Sequence, residues 1–374
     1  MEDSNKETKN CCCKNANGHE NDNNCQHNHN HCSHNHDNCE HEHNHCRHNH
    51  DNCNHDHDNC GQGHCHCHKG ETHNQKDQQL KSKYDQAFDL YNLHLHDEIE
   101  QNEVKTLLNN HLNENKTNDV LRYLFGRIEI TSLKVTDSED SILRMVENIN
   151  TFCNDNPAFP HPAGVCVYPR FIEIASQSLE VEGMEISTVC GGFPSAQTFP
   201  EIKTIETALA LKDGATEIDT VIPVGYFLVG DYDTVYNELD EIRLACGQET
   251  KMKVILETGA LQSAVNIKKA AIISMYSGAD FIKTSTGKIE PGATPMAAYT
   301  MCKAIKEYYE LTGRHIGIKV AGGIRTADDA VAYYTIVKEI LGQEWLENDL
   351  FRIGASSLAN NILSTIKGES VKLI

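Results

Sequence analysis

The stretch GADFIKTSTGK, residues 278–288, decides how the rest of the chain is read. Ala279-Asp280-Phe281-Ile282 begins as a buried strand, and Lys283 then stands where the next core side chain is due. An ammonium group is costly to bury unless it is paired or gives up its proton. Only small polar residues and a glycine follow it.

Working outward, the same kind of run recurs. β-like segments fall at RIEITSL (127–133), GVCVYP (164–169), ISTVCGGF (186–193), EIDTVIPV (217–224), KVILETG (253–259), DFIKTSTG (280–287), IGIKVAGG (316–323) and FRIGASS (351–357). Amphipathic stretches separate them, among them EIKTIETALALKDGA, DTVYNELDEIRLACG, NIKKAAIISMYSGA and MAAYTMCKAIKEYYELTG. Several end in glycine, as helices do just past their last turn. Strand then helix, eight times over, predicts an α/β fold, the (β/α)8 TIM barrel, over 126–374. An open doubly wound sheet is the alternative, and the lack of a G-x-G-x-x-G fingerprint after the first strand lowers it. Ahead of the barrel, apolar residues at helical spacing from Leu80 to Leu124 predict two or three helices, a lead-in over 80–125 with turns near Asp97 and 113–117.

In this fold chemistry sits at the C-terminal ends of the strands. The polar intrusions there are Glu129, Cys166, Asp219, Glu257, Lys283 and Lys319. Lys283 and Lys319 lie on strands six and seven, which neighbour each other at about 5 Å. Like charge and desolvation both lower a lysine's proton affinity. A neutral amine at pH 7 is a nucleophile able to form a Schiff base with a carbonyl compound. The competing reading is an ion pair with Asp219 or Glu257 that keeps Lys283 charged. The last two strands end in AGGIRT (321–326) and GASS (354–357), where small residues and serine hydroxyls suit a phosphate, with Lys288 and Arg325 adding positive charge.

The chain has 374 residues and a net charge of −21. No basic run points to nucleic acid or an anionic membrane, and no apolar segment is long enough to span a bilayer. The N-terminal MEDSNKETKN lacks an apolar segment of the secretory kind, so a cytoplasmic location is expected. Residues 1–79 contain no Leu, Ile, Val, Phe, Tyr or Trp, cannot form a core and are expected to be disordered. Eleven of the sixteen cysteines lie there, better read in a reducing compartment as thiols or metal ligands than as disulfides. A seven-residue period repeats one thiol and two imidazoles: Cys25, His27 and His29; Cys32, His34 and His36; Cys39, His41 and His43; Cys46, His48 and His50; Cys53, His55 and His57; then Cys60. No apolar seam supports a coiled coil. These are ligands for zinc, nickel or copper ions. A low-complexity tract without a role is the alternative, and a fixed zinc finger lacks the apolar residues it needs.

GADFIKTSTGK, GIKVAGGIRT, GATEIDTVI, CVYPRF and FRIGASS together resemble the deoxyribose-phosphate aldolases, class I aldolases of deoxynucleoside catabolism, from about Phe125 to Leu363. The resemblance implies a barrel that needs no metal or other cofactor. It implies reversible cleavage of 2-deoxy-D-ribose 5-phosphate to D-glyceraldehyde 3-phosphate and acetaldehyde. By position Lys283 matches the Schiff-base lysine, Lys319 the lysine that lowers its pKa and aids proton transfer, and Asp219 the carboxylate that moves protons with a water. Cys166, Lys288, Gly322, Gly323, Gly354, Ser356 and Ser357 match substrate and phosphate contacts, although a small core residue is the better reading of Cys166. Glu129 stands where many members have Asp. The chain ends ESVKLI where some members carry a terminal tyrosine, so slower turnover is expected. Two other readings are a metal-buffering protein on an inactive barrel scaffold and another class I aldolase of a phosphorylated sugar. Whether the chain forms a homo-oligomer is left open by the sequence.

Overall fold

The computed structural model describes residues 82–374. The expected tail disorder and the tail metal ligands, Cys25 to Cys60, lie outside the described residues.

Eight parallel strands close into a barrel in chain order: β1 Ile128–Thr131, β2 Gly164–Val167, β3 Glu185–Cys190, β4 Glu217–Val221, β5 Lys251–Ile255, β6 Phe281–Lys283, β7 Gly317–Ala321 and β8 Phe351–Ala355. The (β/α)8 architecture expected from the alternation is therefore present. Helices connect the strands, and their starts are chemically marked. Ser138, Asp231, Ser263, Thr294 and Thr326 each accept a hydrogen bond from a backbone N–H of the first turn. This satisfies a donor that no intrahelical carbonyl can reach.

Three helices precede the barrel: α1 Lys83–Phe88, α2 Asp97–His111 and α3 Asn118–Phe125. The first break covers residues 89–96, just before Asp97, and the second is a 3-10 turn at Asn113–Asn115. These helices are packed into the barrel's own core. Phe88, Val104, Leu124 and Phe125 belong to the same buried cluster as Ile128, Val165 and Ile353. Phe125 is fully buried against Phe152 and Phe159, with ring centroids 5.5 and 5.2 Å away. Each such side chain contributes about 1.5–3 kcal/mol by leaving water. Among the described residues no helix is long and apolar enough to cross a membrane.

Register sets the heights of the polar residues. Lys283 on β6 is directly opposite Lys319 on β7, and Lys319 is opposite Arg352 on β8. Asp219 on β4 is opposite Lys253 on β5. Because strand side chains alternate between faces, Glu217 and Asp219 share one face, as do Lys253 and Ile255.

Candidate active site

The barrel interior holds a fully buried ionic network where an apolar filling is usual. Glu129, Glu217, Asp219, Lys253, Lys319 and Arg352 are each at most 1% exposed, and Lys283 is 3% exposed. Asp219 is the hub. Its Oδ2 accepts from Lys283 Nζ at 2.7 Å and from Lys319 Nζ at 2.6 Å. Its Oδ1 accepts from Lys253 Nζ at 3.2 Å. Below it, Glu217 accepts from Lys253, from Ser187 Oγ at 2.8 Å and from Arg352 Nη2 at 3.3 Å. Glu129 accepts from Lys319 and, at 3.3 Å, from Arg352 Nη1.

Four cations are thus bonded to three carboxylates, leaving one positive charge in excess. The carboxylates respond accordingly. Burial opposes ionisation of Glu129, but Lys253, Lys319 and Arg352 outweigh it and hold the group at about 2. Burial likewise opposes Asp219, and its three lysines hold it well below the usual carboxylate range. For Lys319, burial favours the neutral amine, yet Asp219 and Glu129 raise its pKa above the ordinary lysine value. Lys319, expected to act on Lys283 through its charge, is thus a charged neighbour. A carboxylate oxygen lies between the two ammonium groups, so Lys319 is held charged.

Lys283 is the member of this network that also reaches open space. It lines a cavity of about 270 Å3 at the C-terminal end of the strands, with Lys134, Lys288, Arg325, Gly322, Gly323, Gly354, Ser356 and Ser357. Three features shape the end of the cavity lined by Gly322 and Ser357. Gly322 has φ +92°, and a Cβ there would fall 2.6 Å from Ser285 Oγ. Only glycine holds that turn without strain. Ser357 begins the helix Leu358–Lys367 without a side-chain cap bond, so the first-turn N–H groups are not used by that hydroxyl. Lys288 is tethered to the opposite side of the cavity through the Leu133 carbonyl, which accepts from its Nζ.

The loop after β6 is held from behind. Glu257 accepts from Thr286 Oγ1 at 2.5 Å and from the Thr286 backbone N–H. It does so from a left-handed conformation, φ +57°, which costs a non-glycine residue on the order of 1–3 kcal/mol. Such strain is characteristic of functional sites. Burial raises the Glu257 pKa despite the Thr286 hydrogen bonds.

Of the residues singled out from the sequence, Lys283, Lys319 and Asp219 come together in one hydrogen-bonded unit, and Lys288, Gly322, Gly323, Gly354, Ser356 and Ser357 line the cavity above it. Cys166 does not line it. The residue is fully buried against Leu133 and Val189, and burial pushes its thiol up to about 11. Sequence reasoning missed Lys253, Glu217, Arg352 and Lys134. The signal for Glu217 was present, since it is two residues from Asp219 and hence on the same face.

A model of the DeoC/LacD family aldolases matches residues 130–362. The deoxyribose-phosphate aldolase of Homo sapiens is 42% identical over 245 residues, covering 63% of this chain and 77% of that protein. That of Bos taurus is 41% identical over 245 residues with the same coverage. Among solved structures, the tetrameric deoxyribose phosphate aldolase from Aeropyrum pernix is similar with a TM-score of 0.54 and 27% identity, covering 70% of this chain and 97% of that one.

Proposed function

The chain belongs to the DeoC/LacD aldolase family and is a lyase, and on that premise we propose that it cleaves 2-deoxy-D-ribose 5-phosphate reversibly to D-glyceraldehyde 3-phosphate and acetaldehyde through a Schiff base on Lys283. One observation carries this reading: in a network of buried cations, Lys283 is the one that lines the cavity, while Lys253, Lys319 and Arg352 are sealed beneath it.

Lys283 Nζ is held at the cavity by Asp219, which also binds Lys319 and Lys253, and the neutral form of this amine is the nucleophile. The free amine attacks C1 of the open-chain sugar, whose phosphate is held by the Gly322–Gly323 turn and Ser356–Ser357. Loss of water leaves an iminium ion. A base then takes the proton of the C3 hydroxyl, the C2–C3 bond breaks, and its electron pair enters the iminium to give an enamine. D-glyceraldehyde 3-phosphate leaves with C3 as its aldehyde. A proton added at C2 and one water molecule release acetaldehyde and restore the amine. Asp219, held ionised, orients the amine and accepts protons passed from it. Oriented donors at the phosphate fix the sugar for attack.

The same reading places the enzyme in deoxynucleoside catabolism in the cytoplasm, where reduced thiols leave the tail free to bind zinc, nickel or copper. The activity is tested by incubating the protein with 2-deoxy-D-ribose 5-phosphate and measuring both products. Equal amounts of acetaldehyde and D-glyceraldehyde 3-phosphate are expected. Turnover of a different phosphorylated sugar alone would replace the substrate assignment.

A further inference from the structure

The cavity above the buried network is lined by four cations, Lys134, Lys283, Lys288 and Arg325, and by no carboxylate. The chain as a whole is acidic, at −21, so positive charge is gathered here against the background. A cleft lined by one sign of charge focuses its field and draws in a ligand of the opposite sign. Two of the four cations are already engaged. Lys283 donates to Asp219 at 2.7 Å, and Lys288 donates to the Leu133 carbonyl. Among the described residues the Lys134 ammonium and the Arg325 guanidinium have no carboxylate or hydrogen-bond partner. Both side chains are exposed.

The two free charges stand on either side of one strand end. β8 pairs with β7 through Ala321 and Gly354, and with β1 through Ile130 and Ala355. Ser356 and Ser357 leave the end of β8 and so emerge between the loop after β7, which carries Arg325, and the loop after β1, which carries Lys134. Neighbouring strands are about 5 Å apart, a distance that the four-carbon stem of a lysine covers.

The backbone at Lys134 is fixed. Asp137 accepts from the Lys134 N–H at 2.8 Å and from Ser132 Oγ at 2.9 Å. The bond from Lys288 to the Leu133 carbonyl ties the preceding residue to the loop after β6. The turn is thus held on both sides of Lys134, while its ammonium group is left unused. A phosphate monoester carries about two negative charges at neutral pH. Arg325 supplies one matching charge, and Lys134 supplies the second. We propose that Lys134 is a specificity-determining residue, the cation that seats the substrate's phosphoryl dianion opposite Arg325. The assignment rests on the phosphorylated-sugar reading above, and its direct test needs no turnover.

That test is binding of inorganic phosphate to the full chain, in chelator and at constant ionic strength, read from the rise in melting temperature. Lys134→Ala is expected to raise the phosphate dissociation constant at least about tenfold, through loss of a charge-assisted contact. Lys134→Arg, which keeps the charge, should recover most of the affinity. Lys116→Ala, at a lysine paired with Asp328 outside the cavity, should bind phosphate as the wild type does. In cleavage assays Lys134→Ala should raise KM for 2-deoxy-D-ribose 5-phosphate at least about tenfold and leave kcat within about threefold. Turnover of unphosphorylated 2-deoxyribose should not change. A wild type whose melt phosphate does not move, wild-type phosphate binding by Lys134→Ala, or an equal loss in Lys116→Ala would overturn the proposal. Phosphate binding that follows this pattern in a protein that does not cleave the sugar phosphate would uphold the role of Lys134 and refute the substrate reading instead.

Discussion

Replacing Lys319 by leucine removes one charge from the buried network and leaves the substrate cavity's lining intact, because Lys319 is fully buried and does not line it. Three cations then face three carboxylates, and the positive charge beside Lys283 is gone. The size follows from distance. Both ammonium groups hydrogen-bond the same Asp219 oxygen, at 2.7 and 2.6 Å, so they sit within about 5 Å of each other and interact by about 3 kcal/mol at an effective dielectric of about 20. An interaction of that size corresponds to about two powers of ten in an equilibrium or a rate. Activity at pH 7 should therefore fall on the order of 10²-fold, with part of the loss recovered at higher pH. The assay is the pH dependence of kcat/KM for wild type and Lys319→Leu, alongside a thermal melt to show that the variant is folded. The melt is needed because unpairing buried carboxylates is destabilising by about 3–5 kcal/mol. A loss of the same size at every pH, or an unchanged profile in a folded variant, would refute the electrostatic role.

Three further outcomes are expected. Glu129 ionises at about 2 in the folded chain against an ordinary 4.5, so its contribution is complete above pH 4.5 and lost as pH falls toward 2. Urea unfolding should show wild type losing about 2 kcal/mol relative to Glu129→Gln by pH 3, and parallel curves would show that Glu129 is not held ionised. Ser356→Asp, which sets a carboxylate where the phosphate is to bind, should raise KM for the phosphorylated sugar at least about tenfold and leave unphosphorylated 2-deoxyribose unaffected. Equal effects on both would move the phosphate elsewhere. Deleting residues 1–79 should leave the cleavage rate within about a factor of two and remove most of the bound zinc, nickel or copper, as read by elemental analysis, since the deleted stretch has no Leu, Ile, Val, Phe, Tyr or Trp to pack. A large loss of activity would make the tail part of the working enzyme.

The eight strands were legible because short apolar runs alternated with helical periods, and each was found near its true place. Their C-terminal ends were overrun. DFIKTSTG was read to residue 287 while β6 ends at Lys283, and EIDTVIPV to residue 224 while β4 ends at Val221. The overrun segments are the small, polar and apolar residues that build the cavity rim, and their composition resembles a strand's while their backbone turns away. Lys283, Lys319 and Asp219 stood out because they interrupt apolar runs. Lys253, Glu217 and Arg352 did not, since each lies in the first part or the middle of its strand, short of the C-terminal ends where the chemistry of this fold is sought. The helix Pro200–Lys212 teaches a related limit. Its periodicity announces an apolar stripe but not which side faces the barrel, and here the Lys203–Glu238 pair lies inward.

The central claim is tested most directly by borohydride reduction in the presence of acetaldehyde, followed by peptide mass mapping of the intact chain. Reduction of the imine should add an ethyl group to the peptide that holds Lys283 and to no other, with irreversible loss of activity in step with labelling. A label on Lys319 or Lys253, or inactivation without any label on Lys283, would contradict it.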